Sequence, residues 1–105
     1  MRADAWTLRR YFNEDRIDER TGPNGDISIR VLRSTVCRNH EIHDWVEGTL
    51  SQHIGYYNSD GNLIAKAHRY LRPDGMLAGS GLPDPKRLIH QAVMYIVELP
   101  AEAEV

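Results

Sequence analysis

The sequence predicts an α+β domain. The expected form is an antiparallel sheet of about four to five strands, with an N-terminal helix and a short helix before the last strand. Three observations lead there. Ala5, Leu8 and Phe12 recur at helical spacing behind Asp4. Residues 27–36, "ISIRVLRSTV", are rich in β-branched side chains. Asp60-Gly61 separates two segments in which apolar and polar residues alternate, the pattern of a β-hairpin.

The elements follow in order. Asp4 can cap the first helix, and Trp6 and Tyr11 widen its apolar face. "NEDRIDERTGPNGD" is too charged to bury and ends in turn residues, so it reads as a loop. Residues 27–36 form a strand. In "NHEIHDWVE", Asn39 can cap one helical turn, with Ile42, Trp45 and Val46 on one side. His40, His43, Asp44 and Glu47 then share the other side. In the hairpin, a two-residue Asp60-Gly61 turn sets Ser59 opposite Asn62. Leu50, Ile54, Tyr56, Leu63, Ala65, Ala67 and Leu71 then share one face, and Ser51, His53, Lys66, His68 and Tyr70 the other. A one-residue slip scrambles this division, so apolar burial selects the register, which places His53 opposite His68. "RPDG" is a tight turn and "MLAG" a short strand. Residues 84–91 read as a helix with Asp84 as cap and Pro85 at its first position. "AVMYIVEL" is apolar on both faces and reads as a central strand. Trp6, Phe12, Leu50, Ile54, Val93, Tyr95 and Val97 are the expected core.

At 105 residues the chain is expected to be one domain, residues 1–105, with a frayed acidic tail at 100–105. Thirteen basic residues against 15 acidic give a net charge of -2, which exerts no overall pull on nucleic acid or anionic membrane. The charge is unevenly spread. Residues 41–62 hold Glu41, Asp44, Glu47 and Asp60 and no Lys or Arg. Residues 63–90 hold Lys66, Arg69, Arg72, Lys86 and Arg87 against Asp74 and Asp84. Cys37 is the only cysteine, which rules out an internal disulfide and fits a reducing cytoplasm. The N-terminal residues lack an apolar run of signal-peptide length, and no segment approaches the roughly 20 apolar residues of a membrane span. A cytoplasmic protein away from the membrane is expected.

Five candidate sites arise. "GSGLPDPKR" has glycines before a helix start with Lys86 and Arg87 in its first turn, an arrangement that can hold phosphate. It lacks the GK[ST] of a Walker loop, and Asp84 at its mouth opposes an anion. Plain turn chemistry is the simpler account. His40 and His43 are weak metal candidates. Their spacing in "HEIH" misses the metalloprotease pattern by one residue, and ordinary solvent-facing histidines are the simpler account. Cys37 with His40 or His43 as base has the ingredients of a nucleophile, yet a lone cysteine beside a strand more often packs. Lys66, His68 and Tyr70 alternate on one face with His53 and Tyr57 across from them, a basic and aromatic surface on which bases can stack. Finally, five Tyr, two Trp and eleven Arg are residue types that anchor protein interfaces, although several are expected in the core.

The segment His68 to Leu88 resembles a C-terminal signature of small, largely uncharacterised proteins of phages and other mobile elements. That signature runs H-x-Y-x-x-P-D-G-x-x-G-x-S-G-x-P-D-P-K-x-L. It is matched by His68, Tyr70, Pro73, Asp74, Gly75, Ser80, Gly81, Pro83, Asp84, Pro85, Lys86 and Leu88. Gly79 stands one place later than the signature has it. The resemblance implies a mobile-gene setting and assigns no catalytic residue.

These readings favour a small non-enzymatic binding or adaptor protein, expected as a homodimer, with no cofactor. The alternative is a nucleic-acid or phosphorylated-ligand binding module that uses His53, His68, Lys66, Tyr70 and the Lys86–Arg87 helix start.

Overall fold

The computed structural model describes residues 1–37, 46–79 and 81–98. The elements are β1 (Arg2–Ala3), α1 (Ala5–Glu14), β2 (Ser28–Val36), β3 (Leu50–Tyr57), β4 (Leu63–Leu71), β5 (Asp84–His90) and β6 (Val93–Val97). The strands form one six-stranded sheet in the order β1-β6-β5-β4-β3-β2. β1 lies parallel to β6, and every other neighbouring pair is antiparallel. The α+β class is as the sequence predicts, with six strands in place of four to five.

Two strands are unexpected, two-residue β1 and β5, and β5 replaces the helix expected at 84–91. Residues 84–90 are strand β5, so Asp84 caps nothing and Pro85 opens no helix. Two physical features decide this. Leu88 and His90 are buried while Ile89 between them is exposed, a period of two rather than 3.6. Pro85 sits fully buried near the start of the strand, where its missing N–H costs little. The register slips between Lys66 and Ala67, so that Ala67 faces Pro85 and Lys66 faces Arg87.

α1 forms as expected. The Asp4 carboxylate accepts from the Thr7 N–H at 2.7 Å, and the Thr7 side chain first and this backbone bond second hold its pKa below the usual carboxylate value. Leu8 and Phe12 are buried against the sheet. Trp6 is 69% exposed, contrary to its expected place in the core. It lies two residues, about 200° of helix, away from Leu8, and the Arg10 guanidinium stands 5.5 Å from its ring instead.

The core comprises Phe12, Ile17, Ile27, Ile54, Tyr56, Ala65, Ala67 and Leu88. The Phe12 ring meets Tyr56 edge-on at 5.4 Å. Ile17 belongs to the charged loop that is expected to stay unburied, and Ile27, expected to open the next strand, ends that loop just before β2. Their backbones are tied by Ile17 N–H to Phe12 O at 3.2 Å and Ile27 N–H to Arg20 O at 3.1 Å. The loop buries these two apolar side chains and leaves its charges in water. Leu50, Tyr95 and Val97 are half-buried and Val93 is exposed. β6 is not central, because its only outer neighbour is two-residue β1.

The β3–β4 register is the expected one from Leu50↔Leu71 to Tyr56↔Ala65, with His53 facing His68. The turn is different. Asn58 N–H donates to Asn62 O, and the Asn58 side chain accepts from the N–H groups of Asp60 and Asn62. The loop is therefore wider than two residues, and Gly61 in it has φ +82. A register shift after Tyr56 pairs Tyr57 with Leu63. Leu63 thereby moves to the side of Gly55, away from the core face where alternation placed it. The "MLAG" strand reduces to a single bridge, Leu71↔Leu77. The stretch holding His40, His43 and Trp45 lies outside the described residues. Among the described residues, no helix is long and apolar enough to cross a membrane.

Candidate nucleic-acid interface

Strand alternation divides the sheet into two unlike faces. Gln52, Ile54, Tyr56, Ala65 and Ala67 are buried on the face that carries α1. Ser51, His53, Lys66, His68 and Tyr70 point to the other, on which no described helix packs. The register writes two rows across that second face. One runs Arg33, His53, His68 and Asp84 through β2, β3, β4 and β5. The next runs Arg30, Gly55, Lys66 and Arg87 through the same strands.

These rows concentrate positive charge. β2 to β6 carry Arg30, Arg33, Lys66, Arg69, Lys86 and Arg87 against the single carboxylate of Asp84. Arg69 turns to the core face and donates to Gln52 Oε1 at 2.9 Å. Lys86 pairs with Asp84 at 2.7 Å. Arg30, Arg33, Lys66 and Arg87 have no carboxylate partner among the described residues. Arg30 stands 4.5 Å from the Tyr57 ring. Acidic residues gather elsewhere: Glu14, Asp15, Asp18, Glu19 and Asp26 lie at the end of α1 and in the loop after it. A net charge of -2 thus conceals a basic sheet face, while α1 and the loop after it set those carboxylates against Arg9, Arg10, Arg16 and Arg20.

Between the cations lies an aromatic strip. The His53 and His68 rings are 4.9 Å apart at 41°. Tyr70 meets His68 edge-on at 4.5 Å. Ser51 Oγ lies 2.7 Å from His68 Nε2. Burial lowers the His68 pKa first, and the nearby positive charges of His53 and Lys86 lower it further, against the opposing pull of Asp84. His68 should therefore titrate below the ordinary 6.5 in an NMR pH series, and His53→Gln should move its midpoint up. The sign for stability follows. Above the ordinary value both folded and unfolded chains hold this imidazole neutral. As pH falls below it, the unfolded chain takes the proton more readily and the fold loses stability. A His68→Gln variant should lose less stability than the parent over the same pH range.

The sequence-derived candidates divide accordingly. His53, His68, Lys66 and Tyr70 come together on one face as expected. Arg87 joins Lys66 across the strands, whereas Lys86 is engaged by Asp84. Neither lies at a helix start, because residues 84–87 are extended, and that stretch has no helix N-terminus to hold a phosphate. Cys37 is half-buried and burial pushes its thiol pKa up, which disfavours the nucleophilic thiolate. Among the described residues, no three His, Cys, Asp or Glu side chains stand together as metal ligands. Sequence reasoning missed Arg30 and Arg33, and it placed Ser51 on this face without giving it a role beside His68. The arginines are three apart, which alternation assigns to opposite faces. The irregularity between Val31 and Arg33 brings both to the same one.

No protein-family model, curated protein or solved structure matches this chain.

Proposed function

We propose that the chain binds single-stranded nucleic acid across the open face of its sheet. The observation that carries this is the set of four cations without carboxylate partners among the described residues, Arg30, Arg33, Lys66 and Arg87, around the strip of His53, His68 and Tyr70. Cations hold phosphates and flat rings hold unpaired bases, and a sheet presents both without choosing a sequence. A broad sheet cannot enter the roughly 12 Å major groove of a duplex as a helix or two-stranded ribbon does. The same charges oppose use of this face for a symmetric dimer, since a two-fold axis brings like patches together.

The test is a fluorescence anisotropy titration with a labelled single-stranded RNA, repeated over a range of salt. Four phosphate contacts give a slope of log K against log salt of about −3. Binding should be weaker to the same sequence as a duplex. Salt-independent association, or a preference for duplex, would defeat the reading.

A further inference from the structure

We propose that the His53–His68 pair cleaves bound RNA by transfer of a backbone phosphate to the adjacent 2′-hydroxyl. This rests on the open face binding RNA and adds chemistry to it. Two imidazoles supply the proton acceptor and proton donor that this reaction requires. They sit side by side on β3 and β4, with ring centres 4.9 Å apart, in the row that Arg33 begins. Lys66 precedes His68 by two residues on the same face, and Arg87 faces Lys66 from β5. A phosphate over the two rings therefore has Arg33 at one end of the row and Lys66 beside it along β4, while Asp84 at the other end of the row is paired with Lys86.

The roles follow from the surroundings. His68 is half-buried, held by Ser51 at 2.7 Å and braced by Tyr70, and its setting favours the neutral ring. It is the base. His53 is exposed, and it is the acid. His68 takes the proton of a ribose 2′-hydroxyl, and the freed oxygen forms a bond to phosphorus. The bond from phosphorus to the 5′ oxygen breaks, and His53 gives that oxygen a proton. One strand ends in a 2′,3′-cyclic phosphate and the other begins with a 5′-hydroxyl. The phosphorus keeps its oxidation state, and one proton is taken up and one delivered, so no other reactant is needed. Lys66 and Arg33 offset the charge that builds on the non-bridging oxygens. Ser51 serves as a positioning residue for the His68 ring.

The experiment uses the full chain, an end-labelled single-stranded RNA, and the same sequence in which every 2′-hydroxyl is replaced by 2′-O-methyl. Binding is read by anisotropy, and cleavage by gel and mass spectrometry. Both oligonucleotides should bind, and only the RNA should be cut, leaving cyclic phosphate ends. EDTA should leave the rate unchanged. With the RNA fully bound at saturating protein, His53→Gln and His68→Gln should each slow cleavage by about 100-fold or more, the scale of one proton-transfer catalyst, separately from any loss of affinity that anisotropy records for the missing ring. His53 is exposed, so its variant tests the chemistry without threatening the fold. RNA that binds but stays intact overturns the catalytic assignment and leaves the binding reading standing. Failure to bind either oligonucleotide overturns both. Cleavage that persists at the parental rate in His53→Gln, or that EDTA abolishes, also overturns it.

Discussion

Exchanging both Arg33 and Lys66 for glutamate is expected to weaken binding of single-stranded RNA by about 100-fold or more. A charged contact to a phosphate contributes roughly 1.5–3 kcal/mol, and each 1.4 kcal/mol is about tenfold in affinity. Reversal adds repulsion to the loss of two such contacts. The salt slope should shrink as well, because fewer counterions are released on binding. Arg33 is exposed and Lys66 half-buried, with no carboxylate partner for either among the described residues, so the double variant should keep its circular dichroism and melting behaviour. Arg10 and Arg16 provide the control. They lie on α1 and in the loop after it, where they pair with Glu14 and Glu19. Glutamate at those two positions should change affinity only a few-fold. Equal losses in both pairs would mean that general charge, and not the sheet face, governs binding.

Phe12→Ala should cost about 3–5 kcal/mol, as large-to-small changes at buried aromatic positions do. Phe12 is 1% exposed, and its ring makes the edge contact with Tyr56 that joins α1 to the middle of the sheet. Domains have about 5–15 kcal/mol of stability in total, so this one change should remove a large share. It is read as a lowered urea midpoint with little change in slope. Trp6→Ala on the same helix should shift stability by less than about 0.5 kcal/mol, as changes at exposed positions usually do. Sequence alone ranks these two residues together as core. The structure separates them, and the paired measurement checks which is right.

How far the sequence was legible depended on how local the determining force was. The helix at Ala5–Glu14 announces itself through Asp4, Leu8 and Phe12, all within three turns. The β3–β4 register was readable because only one alignment buries Ile54, Tyr56, Ala65 and Ala67 together, and it delivered the His53–His68 pair. Residues 84–90 misled because Asp-Pro is a sound helix start in isolation. Pairing with β4 and β6 on either side outweighed that preference, and nothing within seven residues reveals it. The irregularity in β2 is similar. Arg30 and Arg33 share a face only because the strand slips between Val31 and Arg33, a result of pairing with β3. The basic sheet face was hidden for the same reason, since it depends on which strands lie side by side. The Ser51–His68 contact lies on a diagonal of the ladder and needs the register and the side-chain geometry together.

The central claim is that the open sheet face is the binding surface. The most direct measurement is an NMR titration of isotope-labelled protein with single-stranded RNA, following backbone and histidine-ring signals. The account predicts shifts concentrated at Arg30, Arg33, His53, Lys66, His68, Tyr70 and Arg87, with Glu14, Glu19 and Asp26 unmoved. Shifts confined to α1 and the loop of residues 15–26, with the two histidine rings unaffected at saturation, would contradict it.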